Sequence, residues 1–90
     1  MDQPKEEIRY SPHARRRMRQ RRIPEELVED VLANPDQRRP AMPLADHRPA
    51  EIFTAERDGR LIKVYVEIGR EPTYVKTVAR SRRIYRREGR

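Results

Sequence analysis

The stretch Leu61-Ile62-Lys63-Val64-Tyr65-Val66-Glu67-Ile68 decides the fold of this 90-residue chain. Within this stretch an aliphatic residue occurs at every second position: Ile62, Val64, Val66 and Ile68. Because successive side chains of a strand point to opposite faces of a sheet, this alternation predicts a strand with one buried face. It is the best strand candidate in the chain, so the domain is expected to contain a sheet.

The neighbouring segments complete the predicted sheet. Asp58-Gly59 is a strong hairpin signal, so residues 50–57 are predicted to form the strand that precedes the turn. Residues 73–79 are predicted to return as a further strand, and residues 8–10 are a short strand candidate near the start.

Two helices are predicted between the first strand and the others. Ser11 is placed to cap the first helix and Pro12 to occupy its first position, and this helix runs to Arg21. The second helix starts in the segment 23–26 and stops at Asn34-Pro35. Its buried face is predicted from residues that recur at helical spacing: Leu27, Val28, Val31 and Leu32.

Together these elements predict an α+β fold of order β-α-α-β-β-β, in which an antiparallel sheet carries a helical pair packed on one face. Residues 8–79 are expected to form the folded domain, between a disordered N-terminus at 1–7 and a basic C-terminal tail at 80–90. Residues 36–49 contain three prolines and are predicted to form a loop that is either functional or mobile.

Composition restricts the function. The chain has 22 Lys and Arg against 15 Asp and Glu, a net charge of +7, and most of the cations are Arg. Because the guanidinium fork matches phosphate oxygens, a polyanion such as RNA is the expected partner. The sequence contains no Cys, which excludes disulfides, thiolate catalysis and cysteine-based zinc sites. No apolar stretch is long enough to cross a membrane, and residues 1–7 do not resemble a signal peptide, so a cytoplasmic protein is expected.

The first helix carries one group of candidate site residues. His13, Arg17 and Arg21 are four residues apart and therefore share a helix face, with Arg16 beside them. His13 also lies in the first turn, where the helix dipole favours the neutral imidazole that a general base requires and where free N–H groups attract phosphate. The alternative is that His13 packs against the sheet in a structural role.

A second group of candidates lies at the end of the last predicted strand: Lys76, Arg80, Arg82, Arg83 and Tyr85. These residues could hold a phosphate that is cleaved and its neighbours, or they could form a solvated basic tail. Three tyrosines on or beside strands could stack bases if they share an exposed face: Tyr10, Tyr65 and Tyr74. Asp46-His47 is a weak metal signal because no second histidine lies at ligand spacing, and no metal or other cofactor is predicted.

The helix signature also resembles a known family. Ser11-x-His13-Ala14-x-x-Arg17-Met18-x-x-Arg21-x-Ile23, followed by an acidic helix that ends in Asn34-Pro35-Asp36, is similar to a bacterial family of domains of unknown function related to the BrnT and RelE/ParE-like toxins. The resemblance covers residues 8–79. It implies a RelE-like fold, RNA cleavage of the mRNA interferase type and neutralisation by an antitoxin. The family often has Gly where this chain has Arg22.

The resemblance and the basic surface lead to one leading hypothesis and two alternatives. The leading hypothesis is a toxin-like, metal-independent endoribonuclease with His13 as base or acid, aided by Arg17, Arg80, Arg82 and Tyr85, and with an acidic antitoxin as possible partner. The first alternative is a non-catalytic RNA-binding or regulatory module that uses the same surface. The second is a protein-interaction domain whose basic faces meet an acidic partner.

Overall fold

The computed structural model describes residues 7–41, 49–69 and 71–81. Nearly all of the predicted disordered N-terminus and basic tail lie outside these residues. Within them the chain forms two helices and five strands: β1 (Ile8–Tyr10), α1 (Pro12–Arg21), α2 (Glu25–Ala33), β2 (Gln37–Ala41), β3 (Ala50–Arg57), β4 (Arg60–Glu67) and β5 (Thr73–Arg80). The predicted α+β class is confirmed. Neither helix in this part of the chain has the length and apolar character needed to span a membrane.

The strands form one sheet of order β1-β5-β4-β3-β2. The β2–β3, β3–β4 and β4–β5 pairs are antiparallel, but β1 runs parallel to β5, with Ile8 opposite Thr73 and Tyr10 opposite Val75. The prediction of an antiparallel sheet was therefore wrong at this edge. Parallel pairing becomes possible because the whole chain between β1 and β5, including both helices, serves as the connection that parallel neighbours require.

The segment predicted as a loop at 36–49 contains a strand. Residues Gln37–Ala41 form β2 and pair with β3, and residues 42–48 of the predicted loop lie outside the described part of the chain. The alternation of apolar residues that reveals a half-buried strand is missing here, because β2 is an exposed edge strand of sequence Gln-Arg-Arg-Pro-Ala. Charged residues and Pro are the residues that edge strands use to prevent further pairing.

The β3–β4 hairpin is confirmed at the predicted turn. Asp58 and Gly59 both have positive φ, 56° and 78°, which are values that a two-residue type I′ turn requires. The turn sets the register of the two strands, in which Ala55 lies opposite Ile62 and Phe53 opposite Val64.

A β-bulge interrupts the alternation of the best predicted strand. Tyr65 lies opposite Thr77 but Val66 lies opposite Val75, so Lys76 is left without a partner across the pair. Ile62 and Val64 are fully buried as predicted, whereas Ile68 is 51% exposed, and its predicted place in the core is wrong. A bulge increases the local twist, and β4 ends at Glu67, so the period of two does not continue to Ile68.

The helices form as their end signals predict. The Ser11 hydroxyl accepts a hydrogen bond from the Ala14 N–H at 2.9 Å, and Pro12 occupies the first turn of α1. Glu25 and Glu26 lie in the first turn of α2, where negative charge is favourable. Both helices bury their apolar residues against one face of the sheet, in a core of Ala14, Met18, Ile23, Val28, Val31, Ala55, Ile62, Val64, Val75 and Val78. The predicted helical pair on one face is confirmed.

Arg57 joins the end of α2 to the sheet. Its guanidinium donates to Asp30 Oδ2 at 2.7 Å and to the carbonyl oxygens of Asn34 and Glu56, each at 2.9 Å. The hydrogen bond from Arg57, followed by that from the Asn34 side chain, lowers the pKa of Asp30 below its usual value. The acidic α2 is thus held to β3 through a single Arg that makes several bonds.

Candidate nucleic-acid interface

The second half of β5 is an edge of the sheet that α1 follows. Because β1 pairs only with residues 73–75, no other strand in the described part of the chain borders residues 76–80 on this side. The Ser11 hydroxyl at the start of α1 donates to the Lys76 carbonyl oxygen at 2.7 Å, and at its end the Arg80 guanidinium donates to the Arg21 carbonyl oxygen. The ten-residue helix is about 15 Å long. The strand from Lys76 to Arg80 is about 13 Å long, so the two run side by side.

A groove of about 320 Å³ lies between the helix and this edge. It is called the β5 groove here and is lined by His13, Arg17, Arg21, Tyr65, Thr77, Val78, Ala79 and Arg80. The first three lining residues come from one stripe of α1, since residues four apart lie above one another on a helix. The fold therefore brings Arg80 and Tyr65 from two strands to the helix stripe that the sequence identified.

The β5 groove is electropositive. No Asp or Glu occurs among the described residues that line it, which include three Arg side chains and one imidazole. His13 is exposed, and Arg17, Arg21 and Arg80 are partly exposed. Within the described residues, the side chains of His13, Arg17 and Arg21 have no ion-pair partner. These groups are accessible to an anion and do not have to give up an internal salt bridge to bind it.

Arg15, on the same helix, shows the contrast. Its guanidinium lies 3.0 Å from Glu25 Oε2, and it also stacks over the Tyr10 ring at 4.9 Å from the centroid. Arg15 is therefore held by the protein itself, through a carboxylate and an aromatic face. Arg15 is thus engaged within the fold, whereas Arg17 and Arg21 of the same helix face the β5 groove.

The predicted site residues divide into three sets. His13, Arg17, Arg21 and Arg80 come together in the β5 groove. Arg16 is exposed on α1 and Lys76 is half-buried at the bulge, and neither lines the groove. The remaining predicted residues lie outside the described part of the chain: Arg82, Arg83 and Tyr85.

The three tyrosines do not come together, since Tyr74 is half-buried on β5 and does not line the β5 groove. Tyr65 lines the β5 groove, whereas Tyr10 packs against the core beneath the helices. The Tyr10 hydroxyl is buried and has no hydrogen-bond partner among the described residues. Burial, followed by the nearby Glu25 and Glu29 carboxylates, raises the pKa of Tyr10 to about 12. Tyr10 is thus a core residue, and of the three tyrosines only Tyr65 lines the β5 groove as the structure describes it.

Two polar residues that line the β5 groove, Tyr65 and Thr77, are not among the residues predicted for catalysis or phosphate binding. The sequence predicts only a base-stacking role for Tyr65 and no role for Thr77. Tyr65 and Thr77 face each other across the β4–β5 pair, so they lie on the same face of the sheet. The alternation of β4 was a usable signal, because it placed Tyr65 opposite in direction to the buried Ile62 and Val64. That Tyr65 lies close to α1 depends on the tertiary fold.

No group of three His, Asp or Glu side chains suited to hold a metal ion occurs in residues 7–41, 49–69 and 71–81. Asp46 and His47, the weak metal signal of the sequence, lie outside these ranges. The described donors of the β5 groove are cationic or neutral, and such a set is suited to bind an anion.

Comparison with known proteins identifies a family but no characterised relative. No curated protein and no solved structure matches the chain. A family described as a domain of unknown function, DUF4258, matches residues 10–80, a range that runs from β1 to the last residue of β5 and contains every residue of the β5 groove. The chain therefore belongs to the DUF4258 family.

Proposed function

We propose that this chain is an RNA-binding domain and that RNA binds in the β5 groove. The observation that carries the proposal is the convergence of His13, Arg17, Arg21 and Arg80 in one groove that no described carboxylate lines. Arg binds phosphate through two parallel N–H donors, and three such side chains along an edge of about 13 Å can follow consecutive phosphates of a strand. Tyr65 adds an aromatic ring on which a base can stack.

A single strand fits this groove better than a duplex. The cations lie in a concave surface between a helix and a strand edge, with Tyr65 as a lining residue. Stacking on an aromatic ring requires an unpaired base, because paired bases are already stacked on their neighbours. The expected ligand is therefore single-stranded RNA with a phosphate on Arg17 and Arg80 and a base against Tyr65.

We further propose that the domain is a metal-independent endoribonuclease, with His13 as the base. In this reaction His13 takes the proton of a 2′-hydroxyl, and the 2′-oxygen forms a bond to the adjacent phosphorus. The bond from phosphorus to the 5′-oxygen breaks, the 5′-oxygen takes a proton from water, and a 2′,3′-cyclic phosphate remains. Arg17, Arg21 and Arg80 would stabilise the negative charge that builds on the phosphoryl oxygens.

A relation to the BrnT and RelE/ParE-like toxins is part of the same proposal. It is supported by the Ser11-x-His13-Ala14-x-x-Arg17-Met18 signature and by an element order in which two helices precede an antiparallel meander. Under this proposal the domain acts on mRNA in the cytoplasm and has an acidic antitoxin as partner. Because one fold supports many functions, the groove chemistry carries more weight than the element order.

The first experiment measures binding. Fluorescence anisotropy with a labelled single-stranded RNA should show affinity that falls with salt, with a log–log slope of about −3 if about four phosphates are neutralised. Arg17→Ala should weaken binding and make the slope less negative by about 0.7. Arg39→Ala, an exposed cation on β2 at the opposite end of the sheet, is the matched control and should change neither. Absence of RNA binding at low salt would contradict the proposal.

The second experiment separates catalysis from binding. Cleavage of a model RNA is followed with chelator present, with and without ribosomes, for wild type, His13→Ala and Arg39→Ala. His13→Ala should reduce the cleavage rate by about 10²-fold and leave RNA affinity nearly unchanged. Wild type that binds RNA and never cleaves it would favour the non-catalytic module. Cleavage that survives in His13→Ala would give the base role to another residue, and loss of cleavage in chelator would contradict the metal-independent mechanism.

A further inference from the structure

A second groove lies on the other side of α1. It has a volume of about 600 Å³ and is called the Arg22 groove here, with the lining residues Arg15, Met18, Arg19, Arg22, Ile23, Pro24 and Glu25. It shares no lining residue with the β5 groove. The two grooves therefore offer separate surfaces on opposite sides of one Arg-rich helix.

Arg22 holds an unusual backbone conformation at the end of α1. Its φ and ψ are 57° and 51°, in the left-handed region. The turn closes the helix, because the Arg22 N–H bonds to the Arg19 carbonyl oxygen at 3.3 Å and the Ile23 N–H bonds to that of Met18 at 2.8 Å. Glycine adopts this conformation without steric cost, whereas a side chain disfavours it. Glycine would therefore stabilise this turn better than Arg does. We infer from the presence of Arg22 that its side chain has a function.

The Arg22 groove combines an apolar floor with unpaired cations. Met18 and Ile23 are 7% and 3% exposed and form part of the floor, next to the exposed Pro24. Arg19 and Arg22 are exposed, and neither side chain forms an ion pair with any described residue. An apolar surface bordered by free cations is complementary to a ligand that carries both aliphatic groups and negative charge.

We propose that the Arg22 groove binds an acidic amphipathic helix of a partner protein. One apolar side chain of that helix would contact Met18 and Ile23, while carboxylates on its flanks bind Arg19 and Arg22. A nucleic acid fits less well, because no described aromatic residue lines the groove to stack a base. The proposal is independent of RNA binding in the β5 groove.

The test uses a synthetic peptide as probe. A labelled helical peptide carries three Leu along one stripe and Glu on both flanks, and a matched peptide of equal charge carries Ser in place of each Leu. The Leu peptide should bind the full chain more tightly than the Ser peptide. Arg22→Gly should weaken binding of the Leu peptide about fivefold or more, while the melting temperature stays the same or rises, since glycine suits the turn. Arg16→Ala, an exposed cation on α1 outside both grooves, is the control of equal charge change.

Several results would overturn the proposal. Equal affinity for the Leu and Ser peptides, or no measurable binding of either, would show that the apolar floor is not a docking site. Equal losses of affinity in Arg22→Gly and Arg16→Ala would show that net charge alone attracts the peptide. If Arg22→Gly weakened single-stranded RNA binding and not peptide binding, the groove would belong to the RNA surface. Because Arg22→Gly is expected to fold, loss of structure cannot explain a loss of peptide binding.

Discussion

Val64→Ala should strongly destabilise the domain, whereas Ile68→Ser, four residues further along the same stretch, should not. Val64 is completely buried between β4 and the helices, while Ile68 is 51% exposed beyond the end of β4. Removing two buried methyl groups costs about 1.6 kcal/mol of transfer free energy, and the cavity left behind raises the loss to about 2 kcal/mol or more. Ile68→Ser removes an exposed side chain, so its effect should stay within about 0.5 kcal/mol.

The measurement is urea denaturation followed by circular dichroism. A domain of 90 residues unfolds with a urea dependence of about 1 kcal/mol per molar, so Val64→Ala should lower the midpoint by about 2 M. Total stability is of the order of 5–10 kcal/mol, which leaves Val64→Ala folded in water. A loss of stability in Ile68→Ser equal to that in Val64→Ala would refute the placement of Ile68 outside the core. A Val64→Ala variant as stable as wild type would refute the sheet–helix core itself.

Three other changes test single interactions. Tyr10→Phe should raise the free energy of unfolding by about 1 kcal/mol, because it removes a buried hydroxyl that has no hydrogen-bond partner in the described part of the chain. Folding raises the Tyr10 pKa to about 12, so the unfolded chain loses the Tyr10 proton at a lower pH than the folded chain does. Wild type should therefore lose stability as the pH rises from about 10 towards about 12, while Tyr10→Phe should not lose this part. Urea titrations at several pH values should show that the stability difference between the two widens in that window. Ser11→Ala should cost about 2 kcal/mol in thermal or urea unfolding, because the hydroxyl both caps α1 and bonds to the Lys76 carbonyl. Because the Asp30 pKa is lowered on folding, the hydrogen bond from Arg57 to Asp30 stabilises the folded state above about pH 4 and this stabilisation is lost as the pH falls. Asp30→Asn should remove this part of the dependence of the melting temperature on acid pH.

The candidate site was only partly predictable from the sequence. His13, Arg17 and Arg21 lie within nine residues of one another at helical spacing, so the sequence alone predicts that they form one stripe of α1. Once α1 forms, all three can line the same groove. Arg80 is a candidate because it directly follows the predicted strand 73–79 and opens the basic segment 80–90. That Arg80 reaches the same groove depends on its hydrogen bond to the Arg21 carbonyl, 59 residues away in the chain.

The Arg22 groove shows a different limit of sequence reasoning. The end of α1 was predictable, but the positive φ of Arg22 was not, because the residue type argues against it. The conformation is enforced by the bond of the Ile23 N–H to Met18 and by the burial of Ile23 in the core. A tertiary contact thus imposes on Arg22 a conformation that its own side chain disfavours.

By itself the sequence determined the elements whose signals lie within a few consecutive residues. Capping at Ser11, the turn at Asp58-Gly59 and the burial of Val64 each depend on residues that lie within a few positions of one another, so local sterics and periodicity suffice. These signals also predicted the α+β class and two helices on one face of a sheet.

Only the tertiary structure decided which strands pair and which side chains meet. The parallel β1–β5 pair joins residues far apart in the chain, such as Ile8 and Thr73, whereas the edge strand β2 and the bulge at Lys76 depend on pairing with strands nearer in the chain. No local pattern encodes any of the three. The Ser11 hydroxyl that fixes α1 beside β5 bonds to a carbonyl 65 residues away. Because strand register is set by packing and hydrogen bonds across such distances, the meeting of His13, Tyr65 and Arg80 in one groove is a property of the fold.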